Sequence, residues 1–579
     1  MPVTLIQTNR CVIPMDPASA ARGTPDRPPR EGDRDGAVAV VVIGYRDAAH
    51  VTTAVRSALA QGPAVREVIA VDDCSPDGSA GLLAALAAGE PRLRVIRRTV
   101  NSGGCGTPRN DGIDAATAPY LMFLDSDDVL PPGAVDALLR AAGRHRAEVA
   151  AGLCVRREVP SGRETPWQPE LYARPAVVER PAARRRLVHD TLCVNKLYRT
   201  GFLRAHGIRF PEGRFPYEDF VFTARVLAAG PRLALVPDRV YVWHVRRTAD
   251  RLSISLDRAG VDNWRARTEA ARQAYDILLG AGEKRLAREA RAKFLEHEVR
   301  MYARELGLRD AAYRRAWWAL TRAHLAAYDE ADFARAPAPG RVVARVVLAS
   351  GEPRDLPRLR ELAARPSRLC PPYAVTPEGA PVWSADLPQV ALDHVLTRPL
   401  RVLPLAVDAA LRPRARGTRL RLRLHELYGR VAGAGPRTVE ATLVHREDGR
   451  AFPVGTAALR PALPGSGTWT AALPLDTRAL AAAGAATWDL RVRLRFADGA
   501  VRETTAHATA GPGLLTRTAL PSLRHGLLLL HPYATHSGSL ALRVAPGPRG
   551  AAAVFRRRLS RLPRKGNSRL RARGRPAFP

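Results

Sequence analysis

The sequence predicts an α/β domain on a mostly parallel sheet, then a helical region, then one or two antiparallel β-sandwiches. Three observations carry that architecture. From Ala37 onward, short apolar runs alternate with helical stretches, the pattern of βαβ units. From about Val261 to Ala334 the spacing is helical, with AARQAYDILL and RAKFLEHEVRMYARELG as its clearest segments. Beyond about Leu396, RLRLRLHEL, TVEATLVH, TWTAALPL, TWDLRVRLRF and SLALRVAP alternate apolar with polar residues between Gly and Pro turns, as half-exposed antiparallel strands do. A chain of 579 residues is too long for one core, so about two to four domains are expected.

Taken in order, residues 1–36 are rich in Pro, Arg, Gly and Asp without periodicity and are expected to be disordered. The α/β domain covers 37–257. Its strands are AVAVVVI (37–43), EVIAVDD (67–73), LRVI (93–96) and YLMFLD (120–125), with helices near 48–60, 78–88 and 109–116 between them. A helix at 133–146 and a strand at 148–155 follow. The helical linker region covers 258–340 and closes on APAPG (336–340), which reads as a flexible linker. A connecting segment (341–395), the β-sandwich region (396–548) and a basic disordered tail (549–579) complete the chain.

The formal charge of +34 suits polyanionic partners. Only four of the 90 basic residues are lysines, Lys196, Lys284, Lys293 and Lys565, so coding bias contributes to the arginine excess as much as selection for charge. No basic motif with interleaved aromatics is present, and nucleic acid is not expected as a partner. The six cysteines show no CxxC pairing and read as free thiols of a reducing compartment, without structural zinc. No apolar run is long enough to span a bilayer and residues 1–36 hold no apolar signal core, so a cytoplasmic protein is expected, in peripheral contact at most with the inner face of the plasma membrane.

Chemistry concentrates at strand exits, where ligands bind in open α/β sheets. Tyr120 to Leu124 end abruptly in Asp125, Asp127 and Asp128. Three such carboxylates repel one another, and a cation such as Mg²⁺ or Mn²⁺ completed by phosphate oxygens relieves the repulsion; a solvated acidic turn is the plain alternative. In VDDCSPDGS (71–79), Asp73 could accept from a base N–H while Tyr45 stacks on the base, or could simply cap a turn. In NSGGCGTPRND (101–111), Gly103, Gly104 and Gly106 permit close backbone approach, and Arg109 with Asn110 could meet phosphate. FPYEDFVFTARVLAAG (215–230) sets Glu218 and Asp219 in the first turn of an amphipathic helix, where the helix dipole favours carboxylates and keeps Asp219 ionised as a base must be. VYVWHVRR offers His244 as a further metal ligand and Arg246 with Arg247 as a diphosphate clamp.

In their order, GYR, VDDCSPDGS, NSGGCGTPRN, FLDSDD, NKLYR, YEDFVFTARVL and YVWHVRR resemble the inverting family 2 glycosyltransferases of GT-A (Rossmann-like) fold. The match covers about residues 37–257. More narrowly, LYRTGFLRAHGIRFPEG and the C-terminal WDLRVRLRF and HPYATHSGSLALRV are similar to bacterial β-glycosyltransferases of wall teichoic acid, which carry immunoglobulin-like domains behind a helical linker. The resemblance implies that Tyr45 and Asp73 hold uracil, Arg109 the nucleotide side, Asp125 the ribose and Asp127 the metal, with His244 a further ligand. It makes Asp219 the catalytic base with Glu218 beside it. Lys196 draws notice because lysine is otherwise nearly absent, and it either touches the acceptor or diphosphate or is a plain surface lysine. A Gly44-Tyr45-Arg46 segment replaces the Tyr-Asn usual after the first strand.

The function so implied is metal-dependent transfer of N-acetylglucosamine from its UDP donor to a hydroxyl of an anionic cell-wall polymer such as teichoic acid. Other polysaccharide or glycolipid acceptors, and a non-catalytic polymer-binding scaffold, are the alternatives. Homo-oligomerisation, as a trimer, is expected of the β region.

Overall fold

The computed structural model describes residues 38–159, 161–246, 257–414, 417–463, 467–509, 518–522 and 524–548. The expected leader and tail, and Arg247, lie outside the described residues.

Strands β1 (Val38–Gly44), β2 (Val65–Asp72), β3 (Leu93–Arg97) and β4 (Tyr120–Asp125) pair in parallel in the order β3-β2-β1-β4. β1 and β4 are the apolar runs of the sequence, and they are buried because helices cover both faces. Those helices are α1 (Val51–Leu59), α2 (Ser79–Ala87) and α3 (Gly106–Ala115). Beyond α4 (Ala134–His145) lie β5 (Val149–Val159), β6 (Glu164–Pro166), β7 (Ala176–Val178), β8 (Lys196–Arg199), α5 (Thr200–Ala205), α6 (Glu218–Ala228) and β9 (Leu233–Arg246). β8 runs antiparallel between β4 and β5, and the full order is β3-β2-β1-β4-β8-β5-β9-β7 with β6 on the edge of β5. The far end of β9 returns to the exit of β4, where Val242 and Val129 exchange backbone hydrogen bonds. That return carries His244 and Arg246 to the acidic turn.

The helical region is longer than its sequence pattern indicates. α7 (Asp262–Gly280) packs on α6, and α8 (Lys284–Lys293) leads through a π-helical turn at Phe294–Val299 into α9 (Arg300–Leu306), α10 (Ala311–Leu325) and α11 (Glu330–Arg335). The APAPG segment is not a flexible linker. It starts α12 (Ala338–Ala349), with proline where the first turn of a helix tolerates it, and Gly340 lies so close to the π-helical turn that a Cβ would sit 2.6 Å from the Leu295 carbonyl oxygen. One apolar core, with Trp264, Trp317, Trp318 and Trp383 fully buried, runs from these helices into the β region. There a five-stranded and a seven-stranded sheet face each other. Leu411 and Leu420 from one sheet, and Leu443, Leu490 and Leu542 from the other, line a single small internal cavity, so the two sheets form one sandwich. No helix among the described residues is long and apolar enough to cross a membrane.

The glycines of NSGGCG serve the chain itself. A Cβ on Gly104 would meet the Gly213 carbonyl oxygen at 2.5 Å, and one on Gly106 the Pro211 carbonyl oxygen at 2.0 Å. They admit the 210–214 segment, rather than a phosphate, against the start of α3. Gly106→Ala should therefore destabilise the protein by about 1–3 kcal/mol, read as a lowered denaturant midpoint, because backbone cannot yield as a side-chain tip can.

Candidate active site

The acidic turn after β4 is fixed before any ligand is considered. Gly44 ends β1 where a Cβ would lie 2.9 Å from the Ser126 Cβ, so its lack of a side chain lets the turn rest on β1. The Ser126 N–H donates to the Ile43 carbonyl (3.0 Å), and its hydroxyl to Asp47 Oδ2 (2.8 Å). Asp128 is buried and accepts from the Tyr241 hydroxyl (2.8 Å) and the His244 N–H (2.7 Å), which locks the turn to β9. Burial, together with Asp127 and Asp125 nearby, pushes the Asp128 carboxyl well above the usual carboxylate range. The same Tyr241 hydroxyl accepts from the Asp125 N–H (3.2 Å). With Asp128 turned inward, Asp125 and Asp127 keep 34% and 43% of their side chains exposed.

Arg109 lies against Asp125. Only 2% exposed on α3, it donates through Nη2 to Asp125 Oδ1 (2.7 Å) and through Nη1 to Glu218 Oε1 (2.6 Å) and Asp219 Oδ1 (3.2 Å). Its guanidinium rests over the Phe210 ring, 5.2 Å from the centroid, and Phe210 stacks on Phe222 of α6 at 3.9 Å. The chain enters α6 through Tyr217 in the left-handed region (φ 68°), and the helical region holds that turn: Arg267 lies 4.1 Å from the Tyr217 ring centroid, and the Tyr217 hydroxyl donates to Asn263 Oδ1 (2.7 Å). One cation thus joins the carboxylate of a strand exit to the two carboxylates of a helix start.

This arrangement revises two expectations. Arg109 commits both Nη atoms to three carboxylates, while its buried Nε has no hydrogen-bond partner among the described residues, and it acts as a positioning residue rather than a nucleotide ligand. Asp219 does sit at a helix N-terminus, but burial outweighs that location and raises its pKa above the usual aspartate value, against the lowering influence of Arg109. Glu218 is pushed up to about 7 by burial and by Asp219, again against Arg109. Burial also opposes the Arg109 charge, yet the anionic neighbours hold its pKa well above the ordinary arginine value.

On the other side of the turn, Arg246 donates to Asp127 Oδ2 (2.9 Å) and to the Asp127 carbonyl (2.9 Å). Burial and Asp125 push the Asp127 carboxyl up to about 6, with Arg246 opposing. His244 Nδ1 lies 3.1 Å from the Asp127 carbonyl oxygen, which can only accept, so Nδ1 carries the proton and Nε2 the lone pair. Burial lowers the pKa of this imidazole and keeps it neutral. A neutral imidazole with Nε2 as an acceptor, beside a half-exposed carboxylate, is a donor set that fits a divalent cation, though among the described residues no three His, Cys, Asp or Glu side chains form a metal-holding group.

Lys196 and Asp73 do not join these groups. Lys196 is buried, donating to Asp190 Oδ2 (2.8 Å), the Asn195 side chain (3.0 Å) and the Asp190 and Leu192 carbonyls, so it is neither a surface lysine nor one that can reach a phosphate. Asp73, also buried, accepts from Asn101 Nδ2 (2.9 Å), the Ser102 N–H (3.0 Å) and the Ser102 hydroxyl (2.8 Å), with Arg98 at 3.1 Å. Its lone pairs tie the exit of β2 to the glycine loop, and contact with a base would displace one of these donors. Tyr45 stands at the exit of β1, 37% exposed.

Several residues at the site escaped the sequence reading. Tyr241 signals itself only as an aromatic in an alternating strand, and Asp47 only as one more acid in a loop. Asp72, by contrast, is marked in the sequence beside Asp73 at the exit of β2, and it lies buried with Oδ1 lacking a hydrogen-bond partner among the described residues. Cys193 donates to Asp219, although it lies 26 positions away and in no recognisable motif.

Residues 39–207 match the family described as Glycosyl transferase family 2. Over 263 residues the chain is 32% identical to the succinoglycan biosynthesis protein ExoO of Rhizobium meliloti, covering 44% of this chain and 73% of that protein. The chain belongs to glycosyl transferase family 2 and is a glycosyltransferase, which sets aside the scaffold alternative. Two further relatives are poly(ribitol-phosphate) glycosyltransferases. The poly(ribitol-phosphate) beta-N-acetylglucosaminyltransferase TarS of Staphylococcus aureus is 28% identical over 216 residues, 37% of this chain and 36% of that protein. The poly(ribitol-phosphate) beta-glucosyltransferase of Bacillus spizizenii is 30% identical over 189 residues, 33% and 29%. The matched segments thus span about a third of those two relatives. The crystal structure of S. aureus TarS shares the fold over 88% of this chain and 85% of that one, with a TM-score of 0.50 at 19% identity. The family resemblance and the fold expected from the motifs are both borne out.

Because Glu218 binds its proton more tightly in the folded chain (about 7) than at its ordinary value of 4.5, stability should be greatest below the ordinary value and fall as pH rises toward 7. Urea midpoints between pH 5 and pH 8 should show that decline, and Glu218→Gln should flatten it.

Proposed function

We propose that the chain is a metal-dependent inverting glycosyltransferase that moves N-acetylglucosamine from UDP-N-acetylglucosamine to a hydroxyl of an anionic cell-wall polymer of the teichoic acid type. The observation that carries this reading is the Arg109 node, in which Asp125 from the exit of β4 and Asp219 from the start of α6 share one buried cation. Asp125 belongs to the ribose end of the donor and Asp219 to the acceptor. Asp219 takes the proton of the acceptor hydroxyl as its oxygen attacks the anomeric carbon, the diphosphate departs from the opposite face, and configuration inverts. A raised pKa makes Asp219 a stronger base once ionised. Tyr45 stacks on the uracil beside the Asp72-Asp73 exit.

Asp127 and Nε2 of His244 would hold Mg²⁺ or Mn²⁺, with phosphate oxygens in the other positions. Such a cation offsets the charge that develops on the departing diphosphate. Arg246, which now neutralises Asp127, is assigned to the diphosphate.

Sequence likeness to two poly(ribitol-phosphate) glycosyltransferases and the charge of +34 support the acceptor. A second reading, transfer to another polysaccharide or a glycolipid, is favoured by the longer and more identical match to a succinoglycan biosynthesis protein. We assign the enzyme to the cytoplasmic side, in peripheral contact with the membrane where its acceptor is made.

Asp219→Asn should bind UDP as the parent does yet transfer sugar about 10²- to 10⁴-fold more slowly in a UDP-release assay with wall polymer. Retained turnover would remove Asp219 as the base. A panel of UDP-sugars, each run with teichoic acid and with a neutral polysaccharide, separates the two acceptor readings. Assembly into a homo-oligomer, a trimer, would tether several sites to one polymer; a monomer mass by light scattering at micromolar concentration would exclude it.

A further inference from the structure

The sandwich has two outer faces of different electrostatic character. On the seven-stranded sheet, Arg493 stands in register between Glu440 and Glu503 and pairs with both, at 3.5 and 2.5 Å. Nearby, Arg446 forms a two-pronged pair with Asp489. That face offsets part of its charge with its own carboxylates, although Arg491 and Arg495 stay exposed on it.

The five-stranded sheet differs. Strand Arg419–His425 reads RLRLRLH, and its leucines are buried while Arg419, Arg421 and Arg423 are exposed. Arg412 lies directly across from Arg419, and Arg460 joins the same face through Thr470, which is also the partner of Arg423. Among the described residues, none of these five side chains has a hydrogen bond or ion pair. The one carboxylate on these strands, Asp408, is engaged by His425 (2.7 Å). Two arginines directly opposite each other repel, so the folded chain carries a cost here that an anionic ligand would remove.

Arg423 lies between Asp408 and Thr470, and only the central arginine has small neighbours on both sides. Arg421 lies between Ala410 and Ala472, and Arg419 faces Pro474. The exposed arginines recur about every 7 Å along the strand. No outward residue of these three strands is apolar and larger than proline, which leaves nothing to insert into a bilayer. Arginine recognises phosphate through paired N–H donors. A flexible polymer with one phosphodiester per short repeat can lay successive charges along such a row, and a neutral glycan cannot.

We propose that this arginine face of the five-stranded sheet binds the phosphodiester backbone of the acceptor polymer, away from the transfer site, and so tethers the chain on which the catalytic domain works. The inference rests on the anionic-acceptor reading above. Tethering raises the concentration of acceptor hydroxyls near Asp219 without adding a contact there.

The test uses the full chain and fluorescently labelled, purified poly(ribitol phosphate) without donor, followed by anisotropy across a salt series. The triple variant Arg419→Gln, Arg421→Gln, Arg423→Gln should bind about 10-fold or more weakly, with the slope of log affinity against log salt smaller by about 2 to 3. The triple change to Lys should retain most of the affinity. Arg491→Gln with Arg495→Gln, on the other sheet, should leave binding unchanged, and UDP affinity should be the same in all variants. Triple-Gln affinity equal to the parent's would overturn the proposal, and so would equal losses from the control pair. A loss confined to anionic vesicles or single-stranded DNA, with polymer binding intact, would also overturn it. If the parent binds polymer through this face but does not glycosylate it, the acceptor reading fails while the binding face stands.

Discussion

The buried Arg109 guanidinium is the constraint on which the catalytic half depends. Asp125, Glu218 and Asp219 come from a strand exit and a helix start about ninety residues apart, and without a cation their mutual repulsion would drive those elements apart. Removing a buried charge from water is costly, and the cost is met here only because three acceptors surround the arginine while the Phe210 ring supports its face. The node therefore serves folding and chemistry together. It holds Asp219 in place, while burial and Asp219 push the Glu218 carboxyl up to about 7.

Much of the fold was legible because it follows from periodicity. The alternation of apolar runs and helices set out the parallel strands, and the abrupt end of YLMFLDSDD marked the acidic turn. The switch to period-two alternation announced the sandwich. What escaped were partners distant in sequence. Arg109 looked like a phosphate ligand because a glycine loop precedes it, yet nothing local reveals that Glu218 and Asp219 close over it. The glycines looked like a cradle, but close approach by the chain's own 210–214 segment demands the same residue. Lys196 drew notice for its rarity, and rarity carries no information about burial. APAPG read as a linker because Pro and Gly break helices in their middles, whereas Pro is at home in the first turn.

The helical region is part of the active-site architecture rather than a spacer. Arg267 on α7 packs against Tyr217 and Phe220 at the start of α6, and Lys293 lies 4.0 Å from the Phe220 ring centroid. Both cations also face the buried Glu298 carboxylate in the π-helical turn, at 3.5 and 3.0 Å. Since the same core continues into the sandwich, the turn that presents Asp219 is braced by residues well outside the segment that matches the family.

Electrostatics then explains why catalysis and polymer capture would occupy different places. The transfer centre collects Asp125, Asp127, Glu218 and Asp219 around two arginines, so it carries excess negative charge even with Glu218 partly protonated. On the proposed function, a polyanionic acceptor would be repelled from such a centre until a cation arrived with the donor. The exposed arginines of the five-stranded sheet carry the opposite sign. On the proposed function the base is a carboxylate and the acceptor is anionic, so strong acceptor affinity could not be built beside that base. Placing the affinity on a separate, rigid β surface lets the centre stay acidic while the polymer stays bound.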